Sequence, residues 1–558
     1  MKKNKPQLLI QNNLNPAQAK ILNALNKNNT LNYSKLIDKI FKTTNKKKKW
    51  IITPILSRDF AQSELFSDLN FLLLLEFLVK RNKVDRVEVK NKLLKEVIKK
   101  RFPKLKVKLQ KLKYIKKISF QYITIFMNFL RLIIYSFLMI ISKSHKRKEF
   151  FKNKKIILIE TFLSKSLIKN NRFIERYNKE AFLKFPTNLK KDSYFYPVNL
   201  SLQTIQKSIK ILRNEKIKFI HPLDFLNLKD YIDSIFLIPS LGKIHRSKII
   251  FNNFEISNIV KEYNFFSYFN FSTYLSNLNY NFLKRLREND IKIKFILDWY
   301  ENQIIDKGFC MGKNEYYQSI KIKGHMGFIN DFRNIHYYRP THLENKLKCI
   351  PDEILVINKN ILNKFKKDKI TKYKIVPSSR NQTLFNIKLP KKTNFNKKIN
   401  ILFILSTNQR ESNFIFTLIL NLIPEINLKK FNIIIKAHPN TKISKIINKD
   451  KNIIISNNLI YDEMLNAEII ISGGTTATIE AQILEKKIIL VGNNSGIMLN
   501  PLMKNNQKLL KVCYNSKDLM KHIFNFSKTK QKRNNLNNNL LNYYFVKTKK
   551  RLNKNFYN

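Results

Sequence analysis

Glycine is almost missing from this chain: 558 residues hold only nine, where about 7% would be usual. No Gly-x-Gly-x-x-Gly follows any strand-like run, which argues against a nicotinamide enzyme. Neither a Walker sequence nor a Gly-x-Ser-x-Gly elbow occurs. Cysteine is scarcer still, at three (Cys310, Cys349 and Cys513). With no CxxC pair there is no disulfide framework and no zinc spacing, and a reducing compartment is expected. No DxD carboxylate pair is present either, so no metal ligand is assigned. Acidic residues number 39 against 106 Lys and Arg, a formal charge of +67. Such a charge ordinarily suggests nucleic acid. Here the lysines run through every segment without a basic arm or stripe, and Lys, Asn and Ile are inflated together, as an A+T-rich coding sequence produces. No specific nucleic-acid partner is expected. Acidic lipid headgroups or anionic substrates suit the charge better. No apolar run follows Met1-Lys2-Lys3-Asn4-Lys5-Pro6, so a cytoplasmic protein is expected.

Where glycine is disfavoured, those that remain are expected at positive φ or beside a ligand. All but Gly242 fall into close pairs: Gly308/Gly312, Gly324/Gly327, Gly473/Gly474 and Gly492/Gly496. Hydrophobic residues make up 44%, too many for a disordered chain, and the length suffices for two or three cores.

Residues 397–500 alternate strand and helix: strands are predicted at 399–405, 431–437, 452–455, 468–471 and 487–491, helices at 412–422, 461–465 and 475–484. Repeated βα units with apolar strands predict a parallel sheet covered on both faces. A similar pattern begins at residues 50–56 (WIITPIL, read as a strand) and continues through 84–89, 155–160, 216–220, 291–297, 320–323, 354–357 and 373–376. The expected organisation is a basic N-terminal extension (1–48), a first Rossmann-like domain (49–390) interrupted by a helical insertion (102–152), a short linker, a second Rossmann-like domain (397–525) and a Lys/Asn-rich helical tail (526–558). The fold class is α/β.

Within the insertion, residues 118–141 are apolar for about the length of a membrane span. Their polar members, Gln121, Thr124, Asn128, Arg131 and Tyr135, recur at spacings of three and four, and lysines crowd both ends (Lys111, Lys113, Lys116, Lys117; Lys143, Lys146, Lys148). One polar stripe on an apolar helix predicts a helix lying in the membrane plane. A helix packed between domains is the alternative.

Two motifs carry chemistry. In 469–481 (IIISGGTTATIEA) a buried strand runs through Gly473-Gly474-Thr475-Thr476 into a helix, placing backbone N–H groups and hydroxyls where open α/β sheets bind ligands. Read structurally, the threonines would only cap the helix. In 436–440, Lys436 and His438 end the second strand and could face the same crevice, as phosphate partners or as loop residues.

The dipeptide His438-Pro439 after one strand, with the small-residue turn leading into Glu480-Ala481 after a later one, resembles the donor domain of GT-B glycosyltransferases. CDP-glycerol glycerophosphotransferases and capsule and sialyl transferases share this pattern. The chain more closely resembles the bacterial surface carbohydrate biosynthesis proteins, on residues 50–66 (WIITPILSRDFAQSELF), 299–303 (WYENQ) with Asp306, 324–329 (GHMGFI), Pro340-Thr341 and 350–353 (IPDE). The glycerophosphotransferases' own motifs are not present in full. The resemblance implies a GT-B-like pair of Rossmann-like domains facing a cleft. It also implies work on O-antigen or capsule-type glycans, with a nucleotide-sugar as substrate and no other cofactor. It further implies a glycan or lipid-linked acceptor and residence on the inner membrane's cytoplasmic surface. Donor-phosphate residues would be Lys436, His438, Gly473, Gly474, Thr475, Thr476, Glu480 and, across the cleft, Arg380, for which a surface arginine is the structural reading. Sugar transfer needs a general base for the acceptor hydroxyl. Glu301 is the first candidate, His325 the second, and Asp306 stands beside Glu301; a carboxylate favoured at a helix start is the structural reading of Glu301. An epimerase of the same architecture, or a noncatalytic glycan- or RNA-binding protein, would share these features.

Overall fold

The computed structural model describes residues 7–60, 62–163, 168–169, 172–199, 205–213, 218–244, 248–329, 339–367, 369–387, 398–406, 408–438, 441–443, 447, 450–492, 497–498, 500–502, 508–529 and 536–558. Most of the expected linker, Pro439, Asn440 and Gly496 lie outside the described residues.

In chain order the strands that matter are β1 (Gln7–Ile10), β2 (Val84–Val89), β3 (Lys106–Leu109), β4 (Lys155–Leu163), β5 (Ser193–Asn199), β6 (Lys292–Asp298), β7 (Lys321–Met326), β8 (Glu353–Val356), β9 (Lys372–Ile375), β10 (Ile399–Ile404), β11 (Phe431–Lys436), β12 (Ile453–Ile455), β13 (Ile469–Ser472), β14 (Lys487–Val491) and β15 (Leu510–Cys513). The helices are α1 (Pro16–Lys42), α2 (Leu65–Val79), α3 (Lys92–Arg101), α4 (Lys111–Ile141), α5 (Leu228–Ile235), α6 (Phe271–Glu288), α7 (Ile304–Tyr316), α8 (Gln409–Leu422), α9 (Ala477–Ile483) and α10 (Asn538–Tyr544).

Two six-stranded sheets dominate, ordered β9-β8-β7-β6-β4-β5 and β12-β11-β10-β13-β14-β15, with every pairing parallel. The chain forms two Rossmann-like parallel-sheet domains with a long apolar helix inserted before the first, a GT-B-like two-domain α/β fold. Strand alternation explains how each sheet is covered twice. Ile401, Phe403, Ile433, Ile435, Ile469 and Ile471 enter a core closed by α8. Leu402, Ile404, Ile434 and Ile470 enter the opposite core, which is continuous with Ile157, Phe195, Leu297 and Leu355 of the first domain.

The first 48 residues contain more than a basic extension. β1 pairs with β2, and β2 with β3, in a separate three-stranded parallel sheet. α1 starts on an Asn15/Gln18 capping box and buries Leu22, Tyr33, Leu36, Ile37 and Ile40 in a core shared with α2 and α3. The strands on either side of α4 therefore belong to different sheets, where one sheet was expected. Residues 50–56 are not a strand: Lys48–Ile52 form a 3-10 turn that buries Trp50, Ile51 and Ile52, and the Trp50 indole donates to Asn45 Oδ1 at 2.8 Å. A short apolar run has no period that tells turn from strand.

α4 is long and apolar enough to cross a membrane, and it is not a core helix. It is built inside out. Gln121, Thr124, Asn128 and Arg131 are half-buried against the body and Tyr135 is buried, while Phe120, Ile123, Phe126, Met127, Ile134, Phe137 and Ile141 face outward. The body holds it through rings: Tyr122 meets Phe265 and Phe266, Phe129 meets Phe236 and Phe269, and Tyr135 meets Phe271 and Tyr274.

The expected tail crosses back to the first domain. Asn358 Nδ2 donates to the Tyr543 and Tyr544 carbonyls at 3.0 and 2.7 Å. Ser378 and Val546 exchange backbone and side-chain hydrogen bonds, and Phe556 packs edge-on against His325.

Candidate functional site

In the second sheet, numbering strands from β10, the order is 3-2-1-4-5-6, so the direction of winding reverses between β10 and β13. Open α/β sheets bind ligands beyond the carboxyl ends of the strands at such a point. β13 ends there in Gly473-Gly474-Thr475-Thr476. The turn is not an empty nest. Glu411, from the first turn of α8, accepts the Gly474 N–H at 3.0 Å and, on its other oxygen, the Ser406 hydroxyl. A Cβ on Gly473 would lie 2.2 Å from Glu411 Cδ, so this glycine answers to close approach. Positive φ is confined, among the described glycines, to Gly242, which corrects that part of the expectation for the rest. The Thr475 N–H returns to the Gly473 carbonyl at 2.9 Å, Thr476 is exposed, and Ser472 and Thr478 share a hydroxyl contact of 2.8 Å.

Lys436 turns away from the reversal point, donating to the Asn458 carbonyl and to the Ser456 carbonyl at 3.3 Å. His438 stands at the carboxyl end of β11, half-buried. Burial, then the charges of Arg176 and Arg380, lower its pKa from the usual imidazole value. Arg176 comes from a loop and Arg380 from the 3-10 turn Ser379–Asn381 of the first domain, so the charges acting on His438 come from the other domain. The Arg380 guanidinium also lies 5.7 Å from the centre of the Trp299 ring. Its neighbour Asn381 donates to Glu480 Oε1 at 3.1 Å, joining the domains directly. Burial raises Glu480 to about 7, against hydrogen bonds from Tyr461 and Asn381 and the charge of Arg380. His438, Arg380 and Glu480 are thus brought together; Arg176 was missed, because an isolated surface-type arginine carries no sequence signal.

On the first-domain side, Glu301 follows β6 and is half-buried. It accepts the Trp299 indole N–H at 2.8 Å and the Gln303 side-chain amide at 2.6 Å. Asp306 is fully buried and serves the helix start: its Oδ2 accepts the Glu301 and Gln303 N–H groups, both at 2.9 Å, completing a capping box for α7. His325 lies in the core at 1% exposure. Its Nδ1 is 2.9 Å from Asn178 Oδ1, its ring touches Trp299 and Phe556, and burial lowers its pKa to about 3, with Arg380 adding to the push.

Beneath these residues, at the reversal point of the first sheet between β4 and β6, the donor atoms of Glu160, Asp298 and Asp306 lie within 4.8 Å of one another. All three are fully buried. Among the described residues this is the one group of three or more potential metal donors. Burial, reinforced at Glu160 and Asp306 by the neighbouring carboxylates, raises the proton affinity of all three, Asp298 to about 6. Sharing protons relieves the repulsion without an ion. Sequence reading missed Glu160 and Asp298, since each sits within an apolar strand and only the fold brings them together.

No family model and no curated protein matches the chain. Among solved structures it is similar to S. aureus MnaA with UDP (12% identity over 72% of this chain and 94% of that one, TM-score 0.37). It is also similar to the UDP-GlcNAc 2-epimerase from Neisseria meningitidis bound to UDP-GlcNAc (11%, 72% and 97%, TM-score 0.37). A third is the lipopolysaccharide outer core galactosyltransferase WaaB (12%, 72% and 98%, TM-score 0.37). Epimerases and transferases stand side by side in this set.

Proposed function

We propose that this chain is a GT-B-type glycosyltransferase. It would move a sugar from a nucleotide-activated donor to a lipid-linked or glycan acceptor at the cytoplasmic face of the inner membrane, in O-antigen or capsule-type surface polysaccharide assembly. The observation that carries the reading is the meeting of the two domains at Arg380 and Asn381, where Asn381 donates to Glu480 and Arg380 stands by Trp299, with the charges of Arg176 and Arg380 acting on His438. A diphosphate placed there would meet two guanidiniums and an imidazole donor, so neither a metal nor a further cofactor is required. Burial, then the two guanidiniums, disfavour a proton on His438 in the free protein; a bound dianion opposes that push and favours proton uptake as the donor binds. Gly473 to Thr476 and Glu480 form the wall behind that position.

For the base, Glu301 is better disposed than His325 or Asp306. Two donors hold its carboxylate beside Trp299, whereas His325 is sealed under Phe556 and both Asp306 oxygens are buried, one of them committed to the helix cap. The outward apolar face of α4 favours transfer to a lipid-linked acceptor over epimerisation of a soluble sugar: packed this way, the helix lies in the interface plane with the body above it.

The test is thermal stabilisation by UDP, GDP, CMP, CDP and their sugars, repeated with Arg380→Ala and His438→Ala. A ligand at 100 times its Kd adds about 2.7 kcal/mol. One nucleotide should stabilise the wild type and neither variant, with proton uptake on binding. Folded protein indifferent to every nucleotide would overturn the reading. Turnover of the bound nucleotide-sugar without any acceptor would make the protein an epimerase or hydrolase.

A further inference from the structure

A cavity of about 540 Å³ lies away from the cleft, between the turn at Lys47–Lys49, α5, α6 and α7. None of the residues assigned to the nucleotide-sugar borders it. Its volume falls within the range of small-molecule sites, and its wall is divided by chemistry. Leu237, Leu241, Tyr280 and Met311, all buried, form an apolar floor. Three consecutive lysines, Lys47 to Lys49, border it as well. Lys47 and Lys48 are exposed and, among the described residues, have no ion pair. The Lys49 ammonium sits 4.4 Å above the Tyr280 ring. Two carboxylates also border the space. Glu315 is engaged by the Tyr280 hydroxyl at 2.7 Å, and with Asp233 it faces Lys49. The excess positive charge therefore falls on Lys47 and Lys48.

Part of the rim is open and apolar. Ile232 and Phe236 border the cavity and remain about half exposed, and Phe236 packs against Phe129 of α4 at 6.1 Å between ring centres. The cavity thus opens beside the helix whose apolar face is turned outward. A soluble sugar would find Ser240 as the one uncharged aliphatic hydroxyl in the lining. A metal cation would meet more lysines than carboxylates. An amphiphile fits both kinds of wall: apolar chains on the floor, an anion at the lysines.

We propose that this cavity binds one phosphate-headed lipid, its phosphate at Lys47 and Lys48 and its chains along Leu237, Leu241 and Met311 toward Phe236. It leans on the membrane reading above only for the source of the lipid, and the two are separable. Calorimetric titration of the full chain with monomeric dihexanoyl phosphatidic acid should show saturable binding with one site. Dihexanoyl phosphatidylcholine should bind on the order of 30-fold more weakly, given the contribution of two lysines near an anionic headgroup, and glycerol 3-phosphate, which has the anion without the chains, should show no saturable binding. Lys47→Gln/Lys48→Gln should erase the preference for phosphatidic acid over phosphatidylcholine. Ser240→Trp, at the exposed rim, should block both lipids with an unchanged melting point. Glycerol 3-phosphate binding as well as the lipid would make this a free-anion site and overturn the proposal, as would equal binding of all three probes or full binding by the Ser240→Trp protein. Phe126→Ser/Phe137→Ser on α4 should abolish vesicle binding and leave the titration intact. Vesicle binding without any titration signal would remove the cavity and keep the membrane face.

Discussion

Replacing Asp298 by asparagine should stabilise this protein, and only above a defined pH. Asp298 is fully buried beside Glu160 and Asp306, and its pKa is raised from 3.8 to about 6. Because the folded value exceeds the unfolded one, the folded state holds the proton more tightly. Stability is therefore fully present below about pH 4, is lost as the pH rises through 6, and stays low above that. A displacement from 3.8 to about 6 corresponds to about 3 kcal/mol at 1.36 kcal/mol per unit. An amide carries no charge to bury, so Asp298→Asn should gain up to about 3 kcal/mol over wild type at pH 8 and about nothing at pH 4. Glu160→Gln should behave alike, since burial and then the charge of Asp298 raise that group too. Urea denaturation between pH 4 and 8, followed by tryptophan fluorescence, measures the difference directly. Wild-type and variant curves that run parallel across this range would refute the account of the cluster as a set of buried, proton-sharing carboxylates.

Glu344 is the opposite case. It is buried against Arg58 at 2.8 Å and Lys307 at 3.3 Å, which hold its pKa near 2 despite burial. Its stabilisation should be present above about pH 4.5 and disappear as the pH falls through 2, and Glu344→Gln should cost roughly 3–5 kcal/mol at pH 7 in the same denaturation assay. At the crossing of α6 and α7, a Cβ on Gly308 would stand 1.9 Å from the Ser276 carbonyl oxygen. Gly308→Ala must spread the two helices and should cost roughly 1–3 kcal/mol, read as a lower melting temperature. Phe126→Ser/Phe137→Ser, on the outward face of α4, should leave the melting temperature unchanged while removing the protein from anionic vesicles in a flotation assay.

The second Rossmann-like domain was legible because its parallel strands are buried on both faces and read as runs such as INILFI and KIILV, bounded by helices with plain periodicity. Its sixth strand, Leu510–Cys513, was not predicted: LKVC is short, and its first three residues are only partly buried. In the first domain, Ser193–Asn199 (SYFYPVN) contains a proline, which ordinarily argues against a strand; it survives at the sheet edge beside β4. β1 escaped notice because four residues near a lysine-rich start carry little period, and its pairing with β2 joins segments far apart in the chain. At the candidate site, Glu301, His438 and Glu480 were named from motif position and Arg380 from its place at the end of the first domain. What sequence could not show is which groups are already engaged. The capping bonds of Asp306, the grip of Glu411 on Gly474 and the sealing of His325 by Phe556 all depend on tertiary neighbours.

That last contact has a bearing on how the protein is made. The core of the first domain includes Tyr544, Phe545 and Phe556 alongside Ile157, Phe195, Leu297 and Leu355, and its strand ends are bridged by Asn358 and Ser378 to residues 543–546. On the ribosome, strands β4 to β9 emerge well before those partners, by roughly tens of seconds at ordinary elongation rates. Throughout that interval both sheets keep an open apolar flank on this shared core, while their opposite faces, whose cores lie within residues 132–322 and 401–526, can close at once. Synthesis thus lets each domain close its outer face early and leaves the face they share for last, when the segment that completes it emerges.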